Sequence, residues 1–545
     1  MSDMRILAVI PACEGAAALP NKNMRIVHGK PMVYYAVRNA QKSSYITDII
    51  VTSNSPEILS LGKQMGVMIR NRDPKLSNQT VALDAVVNDV FNQLNIKDYD
   101  MVVTMQSISP ILKASTLDSA FKKMIDGGYD TMISVVNKAQ FYWTEENGVS
   151  EPLQQERMNR HLLPPFYKET GAFLITKSEF IREDSRLGNN VGLFELDDEE
   201  GLDVNTFGDL YQANKIMERK QTAIYVNGND KIGLGHVSRV QQVADDLYTR
   251  PDIYFDKNQT EPSAFGNTPY KLIPVDGYMG FVDAVKEKHY DIIINDVLST
   301  GRDYMEPLRK ASPYSKIINF EDEGEGADYA DVVINALYET AKNKNVKFGS
   351  RYYILPKLFL IYSPIEIKEK VKNVLVTFGG ADPCGYTDQV LDVLSEGHFD
   401  DVHFYFVLGR AKQNAQELMS TKHSENITFL YNIDNMAEVM SKCDMAITSR
   451  GRTCFELAAL GIPSISIAQN EREERHDFAC ETNGFSYIGF KPNFRVLESE
   501  ITSMIKMSKD NRLELQKRML SRNLRDGRRN VTELIDNSHE EKPND

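Results

Sequence analysis

The sequence predicts an α/β protein whose sheets are mostly parallel and doubly wound. Short apolar runs typical of buried strands alternate with amphipathic helix patterns along most of the 545 residues. Turns rich in glycine or in small hydroxyl residues follow several of these runs. Such turns lie at the carboxyl ends of strands, where open α/β sheets bind ligands. A chain of this length predicts three or four structural units with room for a large core.

The strand predictions fall into three groups along the chain. The first run, residues 5–11, is nearly continuous in apolar residues, as in a strand buried on both faces. The predicted strands are 5–11, 48–52 and 100–105 in the first group, 223–226, 252–255, 270–275, 290–295, 316–320 and 328–335 in the second, and 373–377, 403–408, 427–430, 445–448 and 464–467 in the third. We expect residues 328–335 to form the last strand of the second group.

Composition and charge exclude several classes of protein. The chain is 42% hydrophobic and 26% charged, as in an ordinary globular protein, and its net charge of −14 argues against a general nucleic-acid role. Its five cysteines are scattered, which favours neither a zinc site nor a disulfide framework. The N-terminus lacks a signal-peptide pattern, and no apolar run reaches the roughly 20 residues of a membrane span. We therefore expect a cytoplasmic enzyme without a membrane span.

One stretch, residues 232–239 (Ile-Gly-Leu-Gly-His-Val-Ser-Arg), lies between a predicted strand and a predicted helix at 237–247. Gly233 and Gly235 let backbone N–H groups approach an anion, and the start of a helix adds positive potential. His236 lies where this cradle opens and is placed to act as a general base beside a phosphorylated substrate. A tight turn with a structural histidine explains the same residues.

A second set of turns lies more than 140 residues later. Gly379 and Gly380 follow the predicted strand 373–377, and Ser449, Gly451, Thr453 and Glu456 follow the strand 445–448. Two sheets facing each other across a cleft would place His236 on one lobe and a nucleotide on the other. The sequence therefore predicts a nucleotide site shared by two lobes.

The order of these turns resembles the UDP-sugar hydrolase of pseudaminic acid biosynthesis, a relative of the GT-B glycosyltransferases, over residues 222–500. The resemblance implies that His236 is catalytic, that the glycines, Ser449 and Thr453 bind the nucleotide, and that Glu456 grips the ribose. It implies that acidic residues after the first-lobe strands orient His236 or contact a sugar hydroxyl; these are Asp296, Glu321 and Asp322. It also implies a sugar contact by Asn470, which lies beyond the last predicted strand. Exposed carboxylates at strand ends are the other interpretation, and no cofactor is implied.

The N-terminal part carries a second resemblance. Residues 10–23, Gln106 with Ser109-Pro110, residues 168–173 and residues 201–206 resemble the CMP-sialic acid synthetases (acylneuraminate cytidylyltransferases). The likeness spans about residues 4–218 and implies a Rossmann-like, GT-A-like nucleotidyltransferase domain. It implies nucleotide binding by Lys22, Asn23 and Gln106, a sugar pocket with Glu169, and a Mg²⁺ ligand in Asp203.

Several residues depart from that family's pattern, among them Leu112, Thr170 and Asn78, and three departures affect the phosphate grip and the metal site. Cys13 and Ala17 stand where the family has an arginine and a lysine for the triphosphate, and Asn205 replaces a second metal-binding aspartate. Each lost ion pair is worth ~1 to 4 kcal/mol in a partly wet site, so together they would lower the rate by orders of magnitude. Two outcomes stay open, an active cytidylyltransferase and a retained domain that binds a nucleotide or a partner.

These inferences combine into one domain plan. A cytidylyltransferase-like domain spans 1–220, a GT-B-like first lobe 221–370, a nucleotide-binding lobe with a C-terminal helix 371–535, and a disordered tail 536–545. We expect a fused enzyme of nonulosonic (sialic, pseudaminic or legionaminic type) acid biosynthesis that acts on CTP and UDP-sugar substrates. A GT-B glycosyltransferase and a nucleotide-sugar binding scaffold are the alternatives. The cytidylyltransferase resemblance also implies a homodimer through the N-terminal domain.

Three polar segments are predicted to be solvated. They are the acidic run at residues 197–200, the basic helix pattern from 498 to about 531, and a helix-surface histidine, His476. A functional contact is the competing interpretation for each: magnesium for the acidic run, the acidic N-terminal domain or an anionic ligand for the basic helix, and the sugar for His476.

Overall fold

The computed structural model describes residues 4–13, 18–77, 80–94, 98–154, 156–229, 234–338, 345–396, 399–433 and 435–536. Ala17, Gly233 and the tail from 537 to 545 lie outside these residues. The chain forms two compact units, Met1–Arg219 and Lys220–Asp545. None of the helices in the described ranges is long and apolar enough to cross a bilayer.

The N-terminal unit is a mostly parallel sheet covered by helices. Its strands are β1 (Ile6–Pro11), β2 (Ile26–Val27), β3 (Lys30–Pro31), β4 (Asp48–Ser53), β5 (Met68–Asn71), β6 (Met101–Thr104), β7 (Thr131–Asn137), β8 (Trp143–Glu146), β9 (Val149–Pro152), β10 (Tyr167–Lys177) and β11 (Val191–Leu196). Its helices are α1 (Met32–Lys42), α2 (Pro56–Gln64), α3 (Leu83–Gln93), α4 (Ala114–Asp126) and α5 (Phe207–Met217).

The main sheet of this unit has the order β11-β7-β10-β6-β1-β4-β5. All neighbouring pairs in it are parallel except those of β10, which runs antiparallel to β6 and β7. The apolar run predicted as a strand buried on both faces is β1, and all six of its residues are buried. Two core clusters lie on either side of the sheet, because alternate residues of β1 point to opposite faces.

The second unit begins with a parallel sheet that we call the first lobe. Its elements are β12 (Thr222–Val226), α6 (Gly235–Asp246), β13 (Asp252–Asp256), β14 (Leu272–Val275), α7 (Gly277–Glu287), β15 (Ile292–Asp296), α8 (Arg302–Ala311), β16 (Lys316–Phe320), β17 (Val332–Asn335), β18 (Val346–Phe348) and α9 (Leu358–Ile361). The strand order is β14-β13-β12-β15-β16-β17-β18. The order reverses at β12 and β15, so the carboxyl ends of these neighbouring strands form a crevice.

A second parallel sheet of this unit forms the nucleotide lobe. Its elements are β19 (Asn373–Thr377), α10 (Tyr386–Glu396), β20 (His403–Leu408), α11 (Ala415–Ser420), β21 (Ile427–Tyr431), α12 (Met436–Ser441), β22 (Met445–Ser449), α13 (Thr453–Leu460), β23 (Ser464–Ala468), α14 (Glu471–Glu474), β24 (Phe485–Phe490), α15 (Phe494–Lys506) and α16 (Lys509–Leu520). The last helix, α17 (Gly527–Asp536), packs on the first lobe, where Val531 and Ile535 join the core beneath α6. The strand order is β21-β20-β19-β22-β23-β24. Two parallel doubly wound sheets in one unit agree with the predicted α/β class and its GT-B-like arrangement.

The structure corrects several predicted elements. The strand expected at 328–335 is shorter, because a 3₁₀ turn occupies Glu325–Tyr329, and β18 follows it, so it is not the last strand of its lobe. Six described strands of the three main sheets have no counterpart in the predictions: β5, β7, β10, β11, β18 and β24. The basic helix pattern is broken into three helices. Its predicted solvation is wrong for Arg528, which is buried and binds Asp246 at 2.7 Å.

Candidate functional site

His236 and Asp296 form a buried pair at the crevice of the first lobe. Helix α6 begins at Gly235, so His236 lies in its first turn, and Asp296 is the last residue of β15. The Nδ1 atom of His236 lies 2.6 Å from Oδ1 of Asp296. A carboxylate accepts only, so Nδ1 carries the proton and Nε2 is the nitrogen that can take a proton from water.

Arg239 binds the other side of Asp296. It lies three residues after His236, one helical turn along the same face of α6. Its Nε and Nη2 atoms donate to Oδ2 and Oδ1 of Asp296 at 2.7 and 2.6 Å. Burial alone would raise the pKa of Asp296, but Arg239 and His236 outweigh it and lower that pKa. Asp296 therefore stays ionised and can stabilise an imidazolium on His236.

Glu321 joins the two lobes. It directly follows β16, has a left-handed backbone with φ 52°, and its side chain is 2% exposed. Arg239 of the same lobe donates to it. Arg452 and Arg472 of the nucleotide lobe lie 3.2 and 3.5 Å from its carboxylate. Burial opposes ionisation, yet Arg239 and Arg452 lower the pKa of Glu321 well below its usual range.

The turn that holds Gly379 and Gly380 is fixed by its neighbours. Gly379 has φ 73°, a conformation that glycine adopts without strain. Asp382 accepts hydrogen bonds from the backbone N–H groups of Tyr386 and Thr387 at 2.9 Å, at the start of α10. The buried Lys412 binds Asp382 at 3.0 Å. These contacts hold the turn at the carboxyl end of β19.

The late glycine and hydroxyl loop connects β22 to α13. Ser449 ends the strand, Gly451 lies in the loop, and Thr453 begins the helix. Glu456 lies in the first turn of α13 and lines a cavity between the lobes. The cavity is also lined by Gly235, Arg239, Tyr353 and Arg452. Burial raises the pKa of Glu456 to about 7, against the opposing effect of Arg452.

The structure places two predicted sugar-contact residues in local roles. Both Asp322 oxygens are used within its own loops: they accept from Thr300 at 2.8 and 2.6 Å and from Asn319 at 2.7 Å. Asn470 is exposed and caps α14, where its Oδ1 accepts from the backbone of Glu473 at 2.9 Å. The structure therefore brings Asp296 and Glu321 to the His236 cluster, and it gives Asp322 and Asn470 local hydrogen bonds instead.

His476 was expected on a helix surface, and that expectation is wrong. Its side chain is buried, and its Nδ1 donates to the backbone oxygen of Arg450 at 2.9 Å. Tyr338 packs edge-on against its ring at 5.5 Å. Burial lowers the pKa of His476, which favours the neutral ring.

In the N-terminal unit, Asn23 and Lys22 lie near Cys13, which follows β1. The amide of Asn23 donates to the backbone oxygen of Cys13 at 2.6 Å and accepts from Ser107. Lys22 reaches Asn205, with 3.0 Å between its Nζ and Oδ1. Burial lowers the pKa of Lys22. Two of the predicted nucleotide-binding residues thus border the loop that contains Cys13.

Asp203 and Gln106 meet around Gly171. Ser109 and the backbone N–H of Gly171 donate to Oδ1 of Asp203 at 2.8 and 2.9 Å. The backbone N–H of Gln106 donates to the oxygen of Gly171 at 3.0 Å. Burial raises the pKa of Asp203. Glu169 is exposed on β10 of the same sheet, two residues before Gly171.

Two further buried residues lie in this unit: Glu200, which was predicted to be solvated, and Arg72, which was not predicted to have a role. Glu200 of the acidic run is buried rather than solvated, and it binds Lys113 at 2.9 Å. Arg72 is buried beside the Cys13 thiol and donates to the backbone oxygen of Thr52 at 2.7 Å. A basic residue directly after β5 was the only sequence feature that pointed to Arg72.

The described residues contain no group of three or more His, Cys, Asp or Glu side chains arranged to hold a metal. Asp203 supplies one carboxylate, with Asn205 two residues later. Mg²⁺ is commonly held by one or two carboxylates together with substrate phosphates. The donor set around Asp203 therefore fits a metal that arrives with its nucleotide.

Two family models match the chain. Residues 7–231 match the model described as Cytidylyltransferase, and residues 373–481 match the Glycosyltransferase family 28 C-terminal domain. The N-terminal part of the chain is therefore similar to cytidylyltransferases, and its nucleotide lobe is similar to the C-terminal domain of glycosyltransferase family 28.

The proteins similar to this chain include one whose name combines a cytidylyltransferase and a UDP-sugar hydrolase. A Helicobacter pylori protein, named pseudaminic acid cytidylyltransferase and UDP-2,4-diacetamido-2,4,6-trideoxy-β-L-altropyranose hydrolase, is 23% identical over 506 residues, 87% of this chain and 90% of that protein. An uncharacterized protein of Methanocaldococcus jannaschii is 32% identical over 274 residues, 46% of this chain, and the chain spans only 56% of its length. The crystal structure of Acinetobacter baumannii MurG gives a TM-score of 0.43 at 14% identity, covering 58% of this chain and 99% of MurG.

Proposed function

We propose that the protein is a fused enzyme of nonulosonic acid biosynthesis. Its second unit hydrolyses a UDP-linked amino sugar, and its first unit is a CMP-nonulosonate cytidylyltransferase domain. The observation that carries the hydrolase is the His236–Asp296 pair at 2.6 Å. His236 directly follows Gly235 in the chain, and Gly235 lines a cavity together with Glu456. The Helicobacter pylori relative, which aligns with most of this chain, supports the fusion of two such steps.

In the proposed hydrolysis, a water attacks the anomeric carbon of the sugar. The bond from that carbon to the phosphate oxygen breaks, UDP leaves with the bonding electrons, and Nε2 of His236 takes a proton from the water. Asp296, ionised and held by Arg239, stabilises the resulting imidazolium. We propose that the nucleotide is cradled by Gly379, Gly380, Ser449, Gly451 and Thr453, and that Glu456 accepts hydrogen bonds from two ribose hydroxyls.

Substitution of the pair tests the hydrolase. Asp296→Asn should lower kcat for UDP-sugar hydrolysis by about 10²–10⁴-fold, because Asn cannot stabilise the imidazolium. His236→Ala should abolish turnover, while His289→Asn, at an exposed position of the same lobe, should not. The readout is UDP release in the absence of any sugar acceptor. Full turnover by His236→Ala would reject the mechanism, and a rate that requires an acceptor would make the unit a glycosyltransferase.

For the first unit we propose that Lys22, Asn23 and Gln106 bind CTP, that Glu169 contacts the sugar acid, and that Asp203 holds Mg²⁺. Bound Mg²⁺ would neutralise the charge of the departing pyrophosphate. Ser109 and Gly171 orient Asp203 for that role. We also propose that this unit mediates a homodimer, as the cytidylyltransferase resemblance implies, and that the protein acts in the cytoplasm.

Pyrophosphate release from CTP and a nonulosonic acid mixture, with Mg²⁺, tests the first unit. We expect release from the wild type and at least a hundredfold less from Asp203→Ala, because the single carboxylate is lost. Asp184→Ala, at an exposed position of the same unit, is the control. Absence of release from the wild type, with UDP-sugar hydrolysis intact, would leave this unit as a binding domain and His236 as the centre of the chemistry.

A further inference from the structure

Arg452 reaches from the nucleotide lobe to the start of helix α6 in the first lobe. A Cβ atom placed on Gly235 would lie 2.3 Å from its Nη1 and 3.0 Å from its Cζ. A side chain at position 235 would therefore displace this guanidinium from its present position. The glycine that precedes His236 leaves room for Arg452 as well as for an anion.

Glu321 binds Arg452 through one of the two terminal guanidinium nitrogens, Nη2. Both carboxylate oxygens of Glu321 lie 3.2 Å from Nη2 of Arg452. These contacts are longer than the 2.7–2.9 Å usual for charge-assisted bonds, and Arg239 shares the same carboxylate. The Nη1 atom is the part of Arg452 that lies beside Gly235. The guanidinium fork is thus fixed at Nη2 and directs Nη1 towards the start of α6.

Within the ion-paired cluster, the guanidinium groups outnumber the carboxylates. Three guanidinium groups, those of Arg239, Arg452 and Arg472, meet two carboxylates, Asp296 and Glu321. The N-terminal end of α6, a helix of twelve residues, adds positive potential at the same place. A cation against the positive end of a helix is unfavourable unless an anion lies beside both. The cluster therefore suits an anion in the cavity that Arg452, Gly235 and Glu456 line.

We propose that Nη1 of Arg452 binds the diphosphate of the nucleotide sugar at Gly235, with Glu321 as the residue that positions Arg452. This inference rests on the proposed function, which places a nucleoside diphosphate in the cavity. A diphosphate bound there would touch both lobes and bring the bond to be broken next to His236. As that bond breaks, negative charge grows on the leaving phosphate, and Arg452 stabilises it.

Binding of uridine, UMP and UDP, measured by calorimetry on the full chain, tests the proposal without turnover. Arg452→Gln should weaken UDP binding by about ten- to a hundredfold, weaken UMP binding less, and leave uridine binding unchanged. Arg452→Lys should lose part of this affinity, because lysine lacks the planar fork. The matched control is Arg475→Gln. It removes an arginine of the nucleotide lobe that pairs at 3.8 Å with Glu323 of the first lobe and does not line the cavity.

The outcomes separate this proposal from the proposed function. UDP affinity that is unchanged in Arg452→Gln, or an equal loss for all three ligands, would overturn the role of Arg452 while hydrolysis by the wild type stood. UDP affinity that depends on Arg452, without hydrolysis of any UDP-sugar, would support the diphosphate site and reject the hydrolase. A wild type that does not bind UDP would overturn both. If Arg452→Gln does not fold, the affinities of Arg452→Lys for uridine, UMP and UDP are compared with those of the wild type in the same way.

Discussion

At the scale of a single residue, burial and nucleotide binding favour opposite protonation states of the Glu456 carboxylate. Burial in the cavity raises its pKa to about 7, so it holds a proton over much of the range in which an ordinary glutamate is ionised. The ionised form is the one that accepts hydrogen bonds from two neighbouring ribose hydroxyls. A bound nucleotide and the nearby Arg452 would both favour that form.

Glu456→Gln should change the pH dependence of stability. The folded protein binds the Glu456 proton more tightly than the unfolded chain, so wild-type stability falls as pH rises from about 4.5 to about 7. Glutamine has no charge to bury, so Glu456→Gln should melt roughly 2–4 °C above the wild type at pH 8.5 and level with it at pH 4. The same variant should bind UDP more weakly at pH 8.5.

Differential scanning fluorimetry at the two pH values gives the melting temperatures. Glu417→Gln, an exposed glutamate of α11, is the control and should follow the wild type at both pH values. A Glu456→Gln variant whose advantage over the wild type were the same at both pH values would contradict the assigned cause.

At the scale of elements, the turn after β19 is shaped by the turn after β20. A Cβ placed on Gly409 would lie 2.4 Å from the backbone oxygen of Gly380 and 2.5 Å from that of Gly379. The backbone N–H of Ala411 also donates to Gly380 at 3.0 Å. Side chains are therefore excluded at position 409 by backbone atoms, which cannot move aside as a flexible side chain would.

Gly409→Ala and Gly380→Ala should separate folding from binding. Gly409→Ala forces the two turns apart and should cost about 1–3 kcal/mol of stability. Gly380→Ala adds a methyl group where nothing lies within 4 Å, so its melting temperature should stay at the wild-type value. If Gly380 faces the nucleotide, its alanine variant should still bind UDP more weakly. Chemical denaturation and calorimetry measure the two quantities, and equal stability of both variants would contradict the packing argument.

At the scale of the whole molecule, the two units differ in how complete their sites are. The second unit combines His236, Asp296, Arg239 and Glu321 in one hydrogen-bonded cluster. The first unit brings one predicted metal ligand, Asp203, to a site where Lys22 binds the neutral Asn205. The negative charge that a second aspartate would contribute is missing there.

Asn205→Asp should therefore raise Mg²⁺-dependent pyrophosphate release. The new carboxylate would lie two residues from Asp203, beside Lys22, and we expect at least a tenfold higher rate at low Mg²⁺ concentration. Asn92→Asp adds the same charge at an exposed position of α3 and should leave the rate unchanged. A rate that did not rise would mean that Asn205 is not what limits this unit.

Local sequence was enough to predict the strand and helix class and most element positions, because a buried parallel strand must be apolar along its whole length. The runs at 6–11, 373–377 and 316–320 illustrate this, and each forms a strand. Several strands were missed. Strand β24 has partly exposed residues and β10 runs antiparallel in an otherwise parallel sheet, but β7 was missed although six of its seven residues are buried.

The pattern of apolar and polar residues was sufficient to predict the α/β class, the parallel sheets and the candidate residues at the ends of strands. Which of those side chains meet depends on how the chain packs. Asp296 reaches His236 because β12 and β15 are neighbours in the sheet, although about 60 residues separate the two side chains. Asp322 is one residue from Glu321, yet its oxygens bind its own loops. Hydrogen bonds act over about 3 Å, so such choices depend on chain packing rather than on local pattern.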